Sequence, residues 1–509
     1  ILSGLVGSEM CIRDSFAVQQ CNAAGTDWDT IQTCDRLSLR VCEGGECVSG
    51  CIAAAKDPSY IGCEYWSVDL PQYHDPSTNP PPDNVPHSVV IANVGDFAAD
   101  VTVASTDPLY TPPARITVAA RSTGVLTFPV ANIADTGISS RSFRIRTTEP
   151  VVAYQFSPLN NVNVFSNDAS LLLPSNAAGR RYRVMGYVGG ASIALPGLPT
   201  FAAQRAWFTV VATAPGESHL TVTLSSGAES GGGLESLDAG TPHTFTLTQG
   251  QVLNFAFSST VALPPITADP TGSLVVADRP VVVFAGHEEA VIGENGDSGD
   301  NCCADHIQEQ LFPVETWKQD FFCIHSPPRG SEPDYWRVVA DTDGTTLHTL
   351  PAISGLDGAT LNAGQFVEVH TPLSFELQAS APVLVGQYLV SQQSAGVDRT
   401  VGDPALTLMV PNDQFRQRYT MQVPNGYAED YITVVKEVGV EVRLDGAALD
   451  EGRFSPFGSR THEVAHIDAA PGAHVLESAE PFGVYGFGYD SAVSYGYPGG
   501  LDLGGVPEP

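Results

Sequence analysis

The chain has 509 residues, 57 acidic and 24 basic, giving a formal net charge of −33. This excludes nucleic acid as a natural partner, because phosphate would be repelled everywhere and no Lys/Arg stripe compensates. An apolar fraction of 43% excludes disorder as a whole-chain description, and 49 Gly, 38 Pro and only 16% charged residues predict an all-β, turn-rich, extracellular protein.

Residues 1–15, ending Glu9-Met10-Cys11-Ile12-Arg13-Asp14-Ser15, read as a translated sequencing-adapter artefact. They lack the basic n-region and apolar h-region of a signal peptide. On that reading the native start and any signal peptide are lost by truncation, and Cys11 leaves the cysteine count. Residues 16–58 form a cysteine-rich head. Cys21, Cys34, Cys42, Cys47, Cys51 and Cys63 cluster amid polar residues too poor in apolar side chains to build a core, so crosslinks must hold it. The spacing gives no paired Cys-x2-Cys knuckles and no histidine interrupts it, which favours disulfides over zinc. Disulfides imply export.

From Cys63 onward the chain repeats itself. A proline-led apolar run recurs at Pro150-Val-Val-Ala-Tyr154, Pro280-Val-Val-Val-Phe284, Pro382-Val-Leu-Val-Gly386 and Pro481-Phe-Gly-Val-Tyr485. Such runs predict strands buried on both faces, with proline at the first position, before ladder donors are needed. A second element reads as a hairpin: Ser88–Gly95, Phe208–Gly216, Trp336–Gly344 and Ile432–Gly439 each lead through a glycine turn into an alternating run. A third is a proline with an aromatic eight residues later, at Pro174/Tyr182, Pro313/Phe321 and Pro411/Tyr419. The near-hundred-residue period suits tandem antiparallel β-sandwich-like modules, four in number, packed as a rod or compact array. A β-propeller-like closed array is the alternative, although its blades are usually about 40–50 residues. The expected modules are 59–165, 166–295, 296–398 and 399–502, with 503–509 a tail. Val506-Pro507-Glu508-Pro509 resembles the opening of a bacterial sorting signal, but the apolar helix and arginine cluster of such signals do not follow, so it reads as a flexible tail. Helix signals are scarce; Ala304–Gln310 offers a turn or two before Pro313 stops it.

His287, Glu288, Glu289, Cys302, Cys303, Asp305, His306 and Glu309 are crowded into one stretch. Two readings compete. One is a metal site, with His287, Cys302, Cys303 and His306 as ligands. The other, favoured in an exported chain, is a loop stapled from Cys302 or Cys303 to Cys323. Gly296-Asp-Ser-Gly299 resembles the nucleophile loop of trypsin-like proteases, yet it lacks the following glycine and a histidine base far upstream. Asp341-Thr-Asp-Gly344 is a tight turn before it is half a calcium loop. The aromatics Trp207-Phe208, Tyr335-Trp336 and Tyr431 recur in register with the repeat, as core positions do. No cofactor is expected; calcium between modules is compatible with so many carboxylates, but no specific loop marks it.

Several stretches together resemble the IgGFc-binding protein N-terminal domain family, known from a mucosal mucus protein and from bacterial, including myxobacterial, surface proteins. They are Tyr60-Ile-Gly-Cys-Glu-Tyr-Trp66, Phe165–Pro174, Gly286-His-Glu288, Cys302-Cys-Ala-Asp-His-Ile-Gln-Glu-Gln-Leu-Phe-Pro313 and Ser494–Gly500. The resemblance spans about residues 60–502 and supplies no catalytic residues. Cys323 stands where cysteine is unusual in bacterial members. What the resemblance implies is a secreted or cell-surface, non-catalytic binding or adhesion protein with a protein or glycan ligand. A secreted metal-dependent hydrolase and a structural envelope or matrix protein are the rivals.

Overall fold

One antiparallel sheet is built four times along the chain, each time around a single long strand. The structure is a computed structural model. It describes residues 49–504 apart from 57, 76–77, 160–165, 192–202, 261–266 and 295–302, and of residues 1–48 only the backbone of short strands. The long strands are Ser142–Phe156, Leu274–Ala290, Phe375–Tyr388 and Gly472–Asp490. In the first sheet, the N-terminal half of the long strand pairs with Gly62–Val68 and Ala99–Ser105. Its C-terminal half pairs with Ser88–Asn93 and Ala169–Leu172. The other three sheets repeat this plan, so the chain is all-β with four curled antiparallel sheets of seven or eight strands.

The apolar runs are buried on both faces, but proline does not begin them. Pro150, Pro280, Pro382 and Pro481 each sit inside a long strand, where one pair of neighbours gives way to the next. The register slips there, between Arg146 and Val151 in the first sheet. A residue without an N–H costs nothing at a place where the ladder is interrupted anyway, and the interruption lets the sheet curl. The expected hairpins are also corrected. Ser88–Asn93 and Ala99–Ser105 do not pair with each other. They run in the same direction along successive halves of the long strand, and the glycine turn between them is a step from one half to the next.

The sheets also end one strand later than the expected module limits. Ala169–Leu172, Asp305–Gln310 and Leu406–Leu408 pair with the long strand of the unit before them. The chain turns back to cover that strand's second edge before it leaves the unit. Ala304–Gln310, expected as a helical turn, therefore contains a strand. Linking each unit to the next is a proline, a short 3-10 turn and a new strand, whose aromatic (Tyr182, Phe321 or Tyr419) is buried.

The four return strands, Val493–Pro498 being the fourth, pack in sequence around a common axis, and the last lies against the first. The arrangement is a ring and not a rod. Its closure joins the two ends of the repeat region: Tyr60 N–H donates to Leu501 O at 3.2 Å and Leu503 N–H to Pro58 O at 2.9 Å. One apolar core runs from Tyr60 to Leu503 through all four units, and Trp207, Phe208, Tyr335 and Trp336 lie in core clusters, with Tyr431 half-buried. In the head, a disulfide between Cys51 and Cys63 ties the helix Gly50–Lys56 to the first strand of the first sheet. Cys42 and Cys47 face one another across a two-stranded ladder. The side chains of Cys21, Cys34, Cys42 and Cys47 lie outside the described residues, as do the loop Gly296–Gly299 and Cys302.

Candidate functional site

The axis of the ring is polar, and the reason is local. Each return strand is an edge strand, paired on one side only, so its other edge presents unpaired backbone N–H groups to the interior. Side chains from neighbouring units satisfy them. Asp168 accepts from Ala169 N at 2.8 Å and from Gln308 N of the second sheet at 2.9 Å. Asp305 accepts from Asn167 N at 2.7 Å and from Ser494 N of the fourth sheet at 3.2 Å. Ser166 Oγ accepts from His306 N and Ser170 Oγ from Gln310 N, both at 2.8 Å, and Ser170 in turn donates to Glu309 at 2.7 Å. Asp403 accepts from Gln392 N at 2.9 Å and donates its own N–H to Ser494 Oγ at 2.8 Å. Burial pushes the carboxyls of Asp168, Asp305 and Glu309 well above their ordinary range. Asp403 is pushed up to about 6 by the same cause, against the hydrogen bonds that oppose it.

Most residues that the sequence flagged for chemistry belong to this hub or border it. His287 and His306 are both buried, and desolvation lowers each to about 4. His287 Nδ1 accepts from Glu289 N at 3.1 Å, and His306 stacks on Trp207 with ring centroids 6.0 Å apart. Glu288 is held by the guanidinium of Arg205 at 2.6 Å, and Glu289 accepts from Gln204 at 3.0 Å. Among the described residues no three His, Cys, Asp or Glu side chains converge as metal ligands would. Cys303 is disulfide-bonded, so its sulfur is not a free thiolate ligand.

The staple expected between Cys302 or Cys303 and Cys323 does not form. Cys323 is a free thiol, wholly buried in the apolar core, and burial raises its pKa far above the usual thiol range. It ends the strand Lys318–Cys323, where it pairs with Phe375 and faces inward. Asp341 heads no calcium loop either. Its carboxylate accepts from Arg181 at 2.8 Å and from Arg183 at 2.7 Å, which fastens the second sheet to the third.

Sequence reasoning did not find an open groove of about 680 Å³ at the seam of the head helix, the first sheet and the second sheet. The Cys51–Cys63 disulfide forms one wall, and Arg144, Arg180 and Arg279 line it. Its parts come from stretches far apart in the chain, none of which is a motif alone.

The fold and the hub define a class: an all-β protein of four ring-closed repeats whose densest set of polar side chains joins the repeats to one another. The model of the family described as IgGFc binding protein matches residues 168–488, which is more than half of the chain, and the chain belongs to that family. The match starts at the hub residue Asp168 and takes in the third sheet and most of the second and fourth. The family is one of binding proteins. No curated protein sequence matches the chain. No helix among the described residues is long and apolar enough to cross a membrane.

Proposed function

We propose that this chain is the ligand-holding region of an exported bacterial surface protein, and that it mediates adhesion without catalysing a reaction. Membership of the IgGFc-binding family carries the reading. Two features support it. The hub residues Asp168, Asp305, Ser166, Ser170 and Asp403 are engaged in fastening one sheet to the next. Disulfides at Cys51–Cys63 and at Cys303 suit an oxidising compartment outside the cytoplasm.

The test is retention of the purified, oxidised chain on immobilised immunoglobulin Fc, mucins and glycans, combined with metal analysis. Saturable retention on one of these, with no bound zinc, is the expected result. Stoichiometric zinc together with a hydrolytic activity lost to a chelator would replace the reading with the metal-dependent enzyme. Absence of retention on every surface would leave the envelope or matrix component.

A further inference from the structure

Most arginines of this acidic chain lie against a carboxylate. Among the described residues only Arg141, Arg180, Arg279 and Arg460 have none within ion-pair distance, and two of these, Arg180 and Arg279, line the same groove. The groove has acids of its own, but they are engaged elsewhere. Glu64 Oε2 accepts from Arg144 at 2.6 Å and Arg146 at 3.0 Å, while its Oε1 accepts from Ser175 at 3.1 Å. Asp278 accepts from His219 N at 2.8 Å. Among the described residues the guanidinium of Arg180 makes no side-chain hydrogen bond, and that of Arg279 donates only to the carbonyl of Pro215. Two fork-shaped donors thus line an opening in which no carboxylate among the described residues pairs with them.

We propose that the groove takes an acidic peptide segment of a protein ligand, gripped through Arg180 and Arg279; this deepens the binding function above and rests on it. Guanidinium–carboxylate pairs are charge-assisted and often bidentate, so two of them fix both the position and the direction of a chain. Ala55, Ala214, Pro215 and Pro280 supply apolar contact between the charged points, as ligand pockets of this size do. Among the described residues no aromatic ring lines the groove, so they offer a sugar no face to stack on, and a peptide is favoured over an acidic glycan. The net charge of −33 slows approach of an acidic ligand but is screened beyond about 8 Å at physiological salt, within which the local arginines decide. The disulfide wall adds a second dependence, because reducing Cys51–Cys63 releases the helix Gly50–Lys56 that closes one side.

Fluorescence polarisation with a labelled peptide of alternating glutamate and alanine tests the proposal on the full oxidised chain. Binding should fall about tenfold or more, equivalent to about 1.4 kcal/mol or more, in the double variant Arg180→Gln/Arg279→Gln. It should also fall on reduction and be absent for the glutamine counterpart of the peptide. Matching thermal melts of wild type and double variant establish that the fold is intact. Failure of the wild type to bind the acidic peptide, equal binding of the glutamine peptide, or an unchanged double variant overturns the assignment, as does binding of oligogalacturonate in its place. If the double variant still adheres to the surface ligand found by retention, the groove is wrong and the binding function stands.

Discussion

Three of the four units carry a tyrosine whose hydroxyl locks the bend of its long strand. Tyr65 donates to Val151 O at 2.5 Å, Tyr182 to Val281 O at 2.7 Å and Tyr419 to Phe482 O at 2.5 Å; each acceptor directly follows the bend proline. Tyr182 also accepts from Gly179 N at 2.9 Å. In Tyr182→Phe both backbone groups lose their partner in a dry interior, so a loss of about 1–3 kcal/mol is expected in urea denaturation. A loss below about 0.5 kcal/mol would mean that water replaces the hydroxyl. The third unit has Phe321 at this position and bends without the bond. The recurrence of Tyr182, Phe321 and Tyr419 was legible in the sequence, and that of Tyr65 was not. The purpose of the hydroxyl was not, because its acceptor lies between 63 and 99 residues away in a strand whose bend the sequence does not display. Cys323 shows the same limit from the other side. A cysteine in an exported chain reads as half of a disulfide, whereas this one ends a strand that points it into the core. Titration with a thiol reagent should leave Cys323 unreacted in the native protein and count it after unfolding. Native reactivity at Cys323 would show that the core is open there.

At the scale of the element, the long strand carries the fold. Its apolar half was legible as a run of buried residues, and its fourfold recurrence gave the number of units. What misled was proline, which by its usual placement suggests a beginning when here it marks a bend. Short-range pattern cannot tell the two apart, because both require only that no ladder N–H be lost. The structure predicts an asymmetry that tests this. Pro280→Ala should cost less than about 1 kcal/mol, since Pro280 sits where partners change. Ala285→Pro, five residues on, should cost about 3 kcal/mol or more. Ala285 is paired with Phe208 on one edge and Glu309 on the other, so its N–H is used whichever way it points. Comparable losses from the two substitutions would mean that the proline, and not the exchange of neighbours, creates the bend.

At the scale of the molecule, closing four sheets into a ring creates an interior lined by unpaired strand edges, and this chain fills it with carboxylates and hydroxyls. Sequence reasoning saw only Asp305 and Glu309 of this hub, crowded with His287, Cys303 and His306 in one stretch, and read chemistry or a staple into that stretch. Their partners, Asn167, Ser170, Gln392 and Ser494, come from three other stretches of the chain, and only the closed ring brings them together. Burying so many acids has a consequence for pH. Burial pushes Asp69 and Glu289 up to about 7, and Asp403 and Asp430 up to about 6; Asp168, Asp305 and Glu309 are raised as well. Unfolded carboxyls titrate near 4. Between these values the native state keeps protons that the unfolded chain has released, so stability falls as pH rises through about 4 to 7 and stays low above it. Buried histidines act in the opposite sense. His87 is lowered to about 3, and His287, His306 and His466 to about 4, so the unfolded chain takes up protons below about 6.5 that the native state refuses. From pH 8 down to about 6.5 the carboxyls act, joined by His325, whose pKa, against its burial, is raised beside Asp334, and below that the carboxyls outnumber the lowered histidines until about pH 4. Relief of the −33 self-repulsion adds to the same trend. The melting temperature should therefore climb as pH is lowered from 8 to about 5 and turn over below about 4. Asp69→Asn, which can still accept from Ala131 N, should melt higher than wild type at pH 8 and show a shallower climb. A wild-type melting temperature that is flat between pH 8 and 5, or that rises with pH, would mean that the buried acids ionise at no cost, and the hub would then have to be a solvated channel and not a dry joint between sheets.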